Sequence, residues 1–403
     1  MDCESSNCPA TRGTSAESSW PPGGEASRSR GPFYNDTPDR NGSLWFWHYN
    51  TSKRGITLDL ETADGQALLK RLVPSADILL ESHSHGYLPG LGLGYDHLSA
   101  LNPGLIMCSL TPFGQSGPWR DFKPSDLIHM AGGGQMASCG YDDSDVAGGP
   151  PMAPGGGQSW HIGGEYAYIA IVSAVMARAM TGQGTYIDSS IHDACALTTE
   201  GAVNTYIYSG KVVYRHTGRH ATVDFIDVSR RGGMEMPTRD GRWVHLALGE
   251  LIETPARLRR LAEWMDEHGM AQDLLDETYD TNEGVQANKE HVWQAVREFL
   301  QTRDQDEIWH KGQEMGFPWG AVRSMDEVTV CPHLDARGFF TEVEHPEQGR
   351  SFTYPGPAAI FNGSPWRISR RAPLVGEHNE EILCGELGLS RQELAVLAES
   401  GVV

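Results

Sequence analysis

No run of about 18 apolar residues occurs in this 403-residue chain, so no segment has the length and hydropathy of a membrane-spanning helix. Residues 1–20 lack the apolar stretch that a secretory signal needs. Basic residues are scarce: 32 Lys and Arg stand against 53 Asp and Glu, a net charge of −21. That balance excludes indiscriminate nucleic-acid binding, which requires a basic footprint. An anionic ligand would have to meet a local cluster of cations. The seven cysteines are odd in number and include no C-x-x-C, which excludes a disulfide framework and a zinc ribbon. Reduced thiols in a cytoplasmic protein are the plain expectation.

The usual nucleotide signatures are also missing. No G-x-G-x-x-G follows a strand, and no G-x-x-x-x-G-K-[ST] occurs. Gly114-Gln115-Ser116-Gly117 falls one residue short of a nucleophile elbow and reads as a turn. The histidine pairs His83/His85 and His216/His220 have no third ligand near them in sequence, so no metal site is expected.

What is present is the rhythm of a parallel α/β sheet. Residues 56–60 alternate like a strand, and residues 62–73 carry Leu68, Leu69 and Leu72 at helical spacing. Short apolar strands follow at 77–81 and 105–110. A long Pro/Gly loop at 148–157 leads to a predicted helix over 162–180 rich in small residues, then a strand at 185–190. Past residue 225 the pattern turns helical. Thr254-Pro255 marks a helix start, and amphipathic stretches run over 289–301 and 305–315. Ser390-x-x-Glu393 is a capping box for a last helix. The expected division is a disordered or atypical leader at 1–31, a large α/β domain at 32–224, a small domain at 225–330, and a return to the large domain at 331–403. Two basic clusters could neutralise phosphate: Asn50-x-x-Lys53-Arg54, and Lys211 with Arg215 and Arg219.

About a dozen motifs stand in an order that resembles the class III CoA-transferases, the CaiB/BaiF family. They begin with PGGEASRSRGPF at 22–33, NTSKRGITLDL at 50–60, ADILLESHSHG at 76–86 and LGLGY at 91–95. Asn102-Pro103, FGQSGP at 113–118 and Asp126 with its following glycines come next. Arg178-x-x-Thr181-Gly182-x-Gly184, Asp188-x-Ser190, Cys331-Pro-His-Leu and the stretch from Arg371 to Asn379 complete the series. The resemblance implies a Rossmann-like large domain made by both chain ends, a smaller α-rich domain inserted in it, and two interlocked subunits. It implies transfer of CoA from an acyl-CoA to a carboxylate, with the CoA thioester as substrate and no further cofactor. In the family an aspartate attacks the thioester to give a mixed anhydride, and an enzyme–CoA thioester follows. Asn50, Lys53, Arg54, Ser82 and His83 fall on matched CoA-binding positions, and Gly232-Gly233 on the family's glycine loop.

The chain departs from the family at its chemistry. Counting back from Thr181-Gly182 puts the nucleophile position at Trp160, or at Ser159 after a slip of one. Between Asp145 and Asp188 the sole acidic residue is Glu165. The histidine of the racemase relatives would fall near Ser125. Residues 1–20 do not match the family's opening strand-helix-strand unit, which implies a truncated or wrongly assigned start. The expectation is the non-nucleophilic subunit of a heteromer whose partner is an aspartate-bearing homologue. A self-sufficient transferase using Glu165 and a non-enzymatic acyl-CoA binder are the alternatives.

Overall fold

The computed structural model describes residues 14–17, 25–141, 146–199, 201–217, 219–222, 234–246 and 254–403. Gly232 and Gly233 lie outside the described residues. The chain divides into two compact units, residues 1–133, 155–197 and 331–403 forming one, and 134–154 with 198–330 the other.

The first unit runs through β1 (Thr14–Glu17), α1 (Leu44–Tyr49), β2 (Arg54–Thr57), α2 (Ala63–Leu72), β3 (Ile78–Glu81), α3 (Tyr87–Gly90), α4 (Tyr95–Leu101) and β4 (Ile106–Thr111). It continues with α5 (Asp126–Gly132), α6 (Gln158–Thr181), β5 (Thr185–Ser190) and α7 (Ile191–Leu197). Three parallel strands stand in the order β3-β4-β5. The middle strand β4, Ile-Met-Cys-Ser-Leu-Thr, is buried at all six positions, which is why it reads as an unbroken apolar run with small polar insertions. Helix α2 opens where the Thr62 hydroxyl accepts from the Gly65 amide at 3.0 Å and ends at Val73-Pro74.

The strand expected over 56–60 is instead Arg54–Thr57. Beyond it the backbone bonds to the chain's end: the Thr57 amide donates to Asn379 Oδ1 at 2.9 Å, and the Asp59 amide to the Val402 carbonyl at 2.8 Å. Two pieces of the leader expected to be disordered or atypical are placed. Thr14–Glu17 pairs in parallel with β2. Arg28 is fully buried, its guanidinium 3.7 Å from the Phe46 ring and donating to the Pro373 carbonyl at 2.9 Å.

Helix α6 is 24 residues long and starts four residues ahead of the predicted helix. Gly157, at φ 73°, turns the chain into it, and the Asp126 carboxylate holds its first turn through Ser159. Gly163, Gly164, Ala167 and Ala174 form its buried face. A Cβ on Gly163 would lie 2.7 Å from Ile191 Cγ1, so the helix packs backbone-close against α7. At the other end Arg178 donates to the Asp77 carbonyl at 3.1 Å, the Gly104 carbonyl at 2.9 Å and Asp77 Oδ1 at 2.9 Å.

The C-terminal part of this unit adds an antiparallel hairpin, Phe340–His345 with Arg350–Pro355, whose Val343 and Tyr354 share a core with Phe46 and Trp47. The final helix, Arg391–Glu399, carries the predicted capping box from Ser390 and Glu393.

In the second unit the helices Pro255–Asp266, Lys289–Leu300 and Gln305–Glu314 bury Leu258, Leu261, Met265, Val296, Phe299 and Ile308 in one core. Trp319 is 1% exposed and seats against Gly312, where a Cβ would come within 2.5 Å of its ring. A three-stranded antiparallel sheet joins Glu235–Pro237, Trp243–His245 and Gly320–Ala321. Among the described residues no helix is long and apolar enough to cross a membrane.

A Cβ on Gly184 would meet the Leu105 carbonyl oxygen at 1.9 Å, whereas one on Gly90 would meet nothing within 4 Å. Gly184→Ala is expected to lose at least about 2 kcal/mol of stability and Gly90→Ala to stay within about 0.5 kcal/mol, read from urea midpoints.

Candidate functional site

The carboxyl ends of parallel strands are where α/β sheets present ligands. Here that edge holds a cavity of about 230 Å³ lined by Ser82, Leu110, Pro112, Pro124, Trp160 and Ile191. Ser82 follows β3, Leu110 and Pro112 close β4, and Ile191 follows β5. Trp160 comes from the first turn of α6 and Pro124 from the loop before α5.

Local hydrogen bonds set Trp160 in place. Ser125 caps α5 by accepting from the Ile128 amide at 3.1 Å. Asp126 Oδ1 then accepts from both the amide of Ser159, at 2.9 Å, and its hydroxyl, at 2.7 Å. A carboxylate at a helix N-terminus suits both the free amides and the macrodipole. Ser159 is fully buried with its hydroxyl committed to Asp126, so it offers no nucleophile to the cavity.

Behind Trp160 lies an aromatic cluster. The His129 ring meets the indole edge-on, centroids 5.5 Å apart at 80°. Phe113 sits 4.9 Å from His129 and 5.3 Å from His192, and Trp119 covers His192 from 5.3 Å. His129 is fully buried, and neither of its ring nitrogens has a hydrogen-bond partner. Burial pushes its pKa down to about 4; nearby His192 adds to the depression and Asp126 opposes it. An imidazole kept neutral and unpaired in an apolar wall costs stability and marks a place built for something besides packing.

The residues singled out from sequence distribute unevenly around this cavity. Trp160 and Ser82 line it. His83 is in the same loop, its amide bonded to Glu81 Oε2 at 2.7 Å and its ring stacked on Tyr87 at 4.5 Å. Glu165 is exposed on α6, five residues past Trp160, and is not among the lining residues. At 100° per residue it points about 140° round the helix from the indole.

Asn50, Lys53 and Arg54 cluster at the end of α1 and the start of β2, all less than 10% exposed. Lys53 Nζ donates to Asn50 Oδ1 at 2.9 Å and to the Tyr49 carbonyl at 3.2 Å, a cation at a helix C-terminus. Arg54 donates to Glu381 at 3.0 Å and Glu386 at 2.6 Å. Its guanidinium is thus neutralised by carboxylates more than 320 residues away, which no local reading of the sequence could supply. Arg215 of the second cluster bonds the Tyr141 and Gly149 carbonyls, at 2.8 and 3.0 Å. Among the described residues no group of three potential metal ligands occurs.

Sequence reasoning missed His129, His192 and the contact of Tyr49 Oη with His161 Nε2 at 3.1 Å. The single available signal was the placement of His129 at i+3 from Asp126 on one short helix. A larger cavity, about 300 Å³, opens at the Phe340–Pro355 hairpin turn, lined by Glu344, His345, Pro346, Gly349, Arg350 and Ser351. None of the sequence-predicted site residues lines it.

A family model described as CoA-transferase family III matches residues 20–379. The succinyl-CoA:(R)-benzylsuccinate CoA-transferase subunit BbsE of Thauera aromatica is 30% identical over 386 residues, covering 95% of this chain and 90% of that protein. A succinate–glutarate CoA-transferase of Agrobacterium fabrum is 31% identical, covering 90% and 86%. The crystal structure of a CAIB/BAIF family protein from Brucella suis superposes with a TM-score of 0.74 at 27% identity, covering 94% and 91%.

The unpaired His129 gives a pH test. Its folded pKa lies below the ordinary 6.5, so the stability it allows is present above pH 6.5 and is lost as pH falls towards 4, where the unfolded chain takes up the proton first. His129→Phe should lose less stability than the parent between pH 7 and pH 5, by on the order of 1 kcal/mol after solvent screening, in urea melts at both pH values.

Proposed function

The chain belongs to CoA-transferase family III, enzymes that move CoA between an acyl-CoA and a carboxylic acid, and from that premise we propose that it is the subunit that does not supply the nucleophile. The observation that carries this reading is Trp160, an indole on the first turn of α6 at the cavity where the chemistry requires a carboxylate. An indole cannot form the acyl anhydride, the buried Ser159 hydroxyl is held by Asp126, and Glu165 faces elsewhere. The Thauera aromatica relative is itself named as a subunit.

An exposed apolar face supports a second chain. Tyr168, Ile169, Val172, Met176 and Met180 of α6 are between 38% and 83% exposed. A contiguous surface of that kind marks an interface rather than a solvated helix. On this reading two subunits interlock, each with a large domain built from both chain ends and a smaller inserted one. The partner is an aspartate-bearing homologue. Its carboxylate attacks the thioester carbonyl and expels the CoA thiolate, giving a mixed anhydride. The thiolate then attacks the aspartyl carbonyl and releases the donor acid. The acceptor carboxylate repeats the two steps in reverse and leaves as the new CoA ester. On the same reading Ser82 and His83 edge the CoA site, and Asn50, Lys53 and Arg54 meet the cofactor-like body of the substrate. Arg54 would bind phosphate only by exchanging it against Glu381 and Glu386.

Hydroxylamine trapping tests the assignment. The chain alone should give no hydroxamate and turn over at least about 10³-fold more slowly than a co-purified pair with an aspartate-bearing homologue. Glu165→Gln should leave the pair's kcat within about twofold. A glutamyl hydroxamate at residue 165 would sink the subunit reading in favour of a self-sufficient enzyme. CoA binding without transfer by the pair would point to an acyl-CoA binder.

A further inference from the structure

We infer that the cavity beside Trp160 selects an uncharged apolar group, about the size of a phenyl ring, on the acyl part of the CoA ester and rejects a second carboxylate. The inference rests on the CoA-transferase reading above and names the substrate class of that site.

Size comes first. A dry apolar cavity of about 150 Å³ is enough to hold benzene, and whole ligand sites run to about 300–1,000 Å³. At about 230 Å³ this space fits one substituent with a short linker, not a CoA body. It is therefore a subsite of a larger ligand.

The chemistry of the walls comes second. Leu110, Pro112, Pro124 and Ile191 offer hydrocarbon, and Trp160 offers an aromatic face or edge. Ser82 contributes the one hydroxyl and is itself exposed, which puts the polar group at the open end. Among the described residues no cation lines the space. His129, packed edge-on against Trp160 and not a lining residue, is neutral near pH 7 and supplies no counter-charge. Arg54 is engaged by Glu381 and Glu386. Lys123 precedes Pro124 in sequence but is exposed and is not a lining residue. A carboxylate carried into this space would lose its hydration without gaining an ion pair, whereas a phenyl group would lose only unfavourable water contact.

Position comes third. The cavity opens beside the loop Ser82–His83 at the carboxyl edge of the sheet, so a thioester held at that loop would direct its acyl substituent between β4 and α6.

The test is titration of the full chain with free CoA, 3-phenylpropionyl-CoA and succinyl-CoA, followed by tryptophan fluorescence and calorimetry. The phenyl ester should bind at least about 30-fold more tightly than the succinyl ester. Pro124→Trp, a change at an exposed loop position that fills the mouth, should bring the two esters within about threefold while leaving free CoA unchanged. Lys123→Met should not alter the ratio. Comparable affinities for the two esters on the unmodified chain, or a ratio that survives Pro124→Trp, would overturn the inference alone. Succinyl-CoA binding that depends on Lys123 would overturn it as well. Failure to bind free CoA or either ester would overturn both the inference and the placing of a CoA site on this chain.

Discussion

Everything at the sheet's carboxyl edge depends on how α6 is pinned. Its first turn hangs on one carboxylate, with Asp126 holding Ser159 by amide and hydroxyl together. Its last turn is tied by Arg178 to Asp77 and to the Gly104 carbonyl, beside the strands it covers. Hydrogen bonds to charged groups contribute roughly 1.5–3 kcal/mol each, more than neutral ones, and here they sit at both ends of a 24-residue rod. Between the ties, glycines and alanines let the rod lie close, so an error in its rotation would drive Cβ atoms into Ile191 or the sheet. The indole of Trp160 inherits its position from these constraints, with the His129 ring packed against it.

Much of this scaffold could be read from local pattern. The apolar run of β4, the Thr62 cap of α2, the small-residue face of α6 and the capping box at Ser390 each follow from residues within a few positions of one another. Several motifs that carried the family resemblance turn out to tie backbone segments together, mostly through side chains. Arg178 and Gly184 seat α6 and β5 against the Pro103–Leu105 turn. His378 and Asn379 hold β2. What escaped the sequence are features set by distant partners. Helix α6 begins at Gln158 because Asp126, 33 residues earlier than Ser159, reaches its first turn. Strand β2 ends at Thr57, whose amide goes to the Asn379 side chain, and the Asp59 amide beyond it goes to Val402. The carboxylates that meet Arg54, Glu381 and Glu386, come from the far end of the sequence.

The site shows the same division. Trp160 was identifiable as a misfit by counting from a turn, which needs no structure. That its neighbours are hydrocarbon, that a neutral histidine lies behind it and that no cation answers it are facts of packing among five segments of chain. A missing carboxylate by itself says only that one step is not performed here. The walls around the replacement residue describe what the space can still hold, and all their side chains but Ser82 are mainly hydrocarbon or aromatic.

The hydrogen bond from the Gly55 amide to His378 Nδ1 spans 323 residues. A ribosome adding about 5–20 residues per second needs roughly 16 to 65 s to make the intervening chain. Throughout that interval the Gly55 amide has been synthesised but its His378 acceptor has not, while residues 198–330 emerge with a core of their own. The first unit begins translation first and closes last. The Gly55 and Thr57 amides are thus open to chaperones, or to a second nascent chain, for most of the protein's birth.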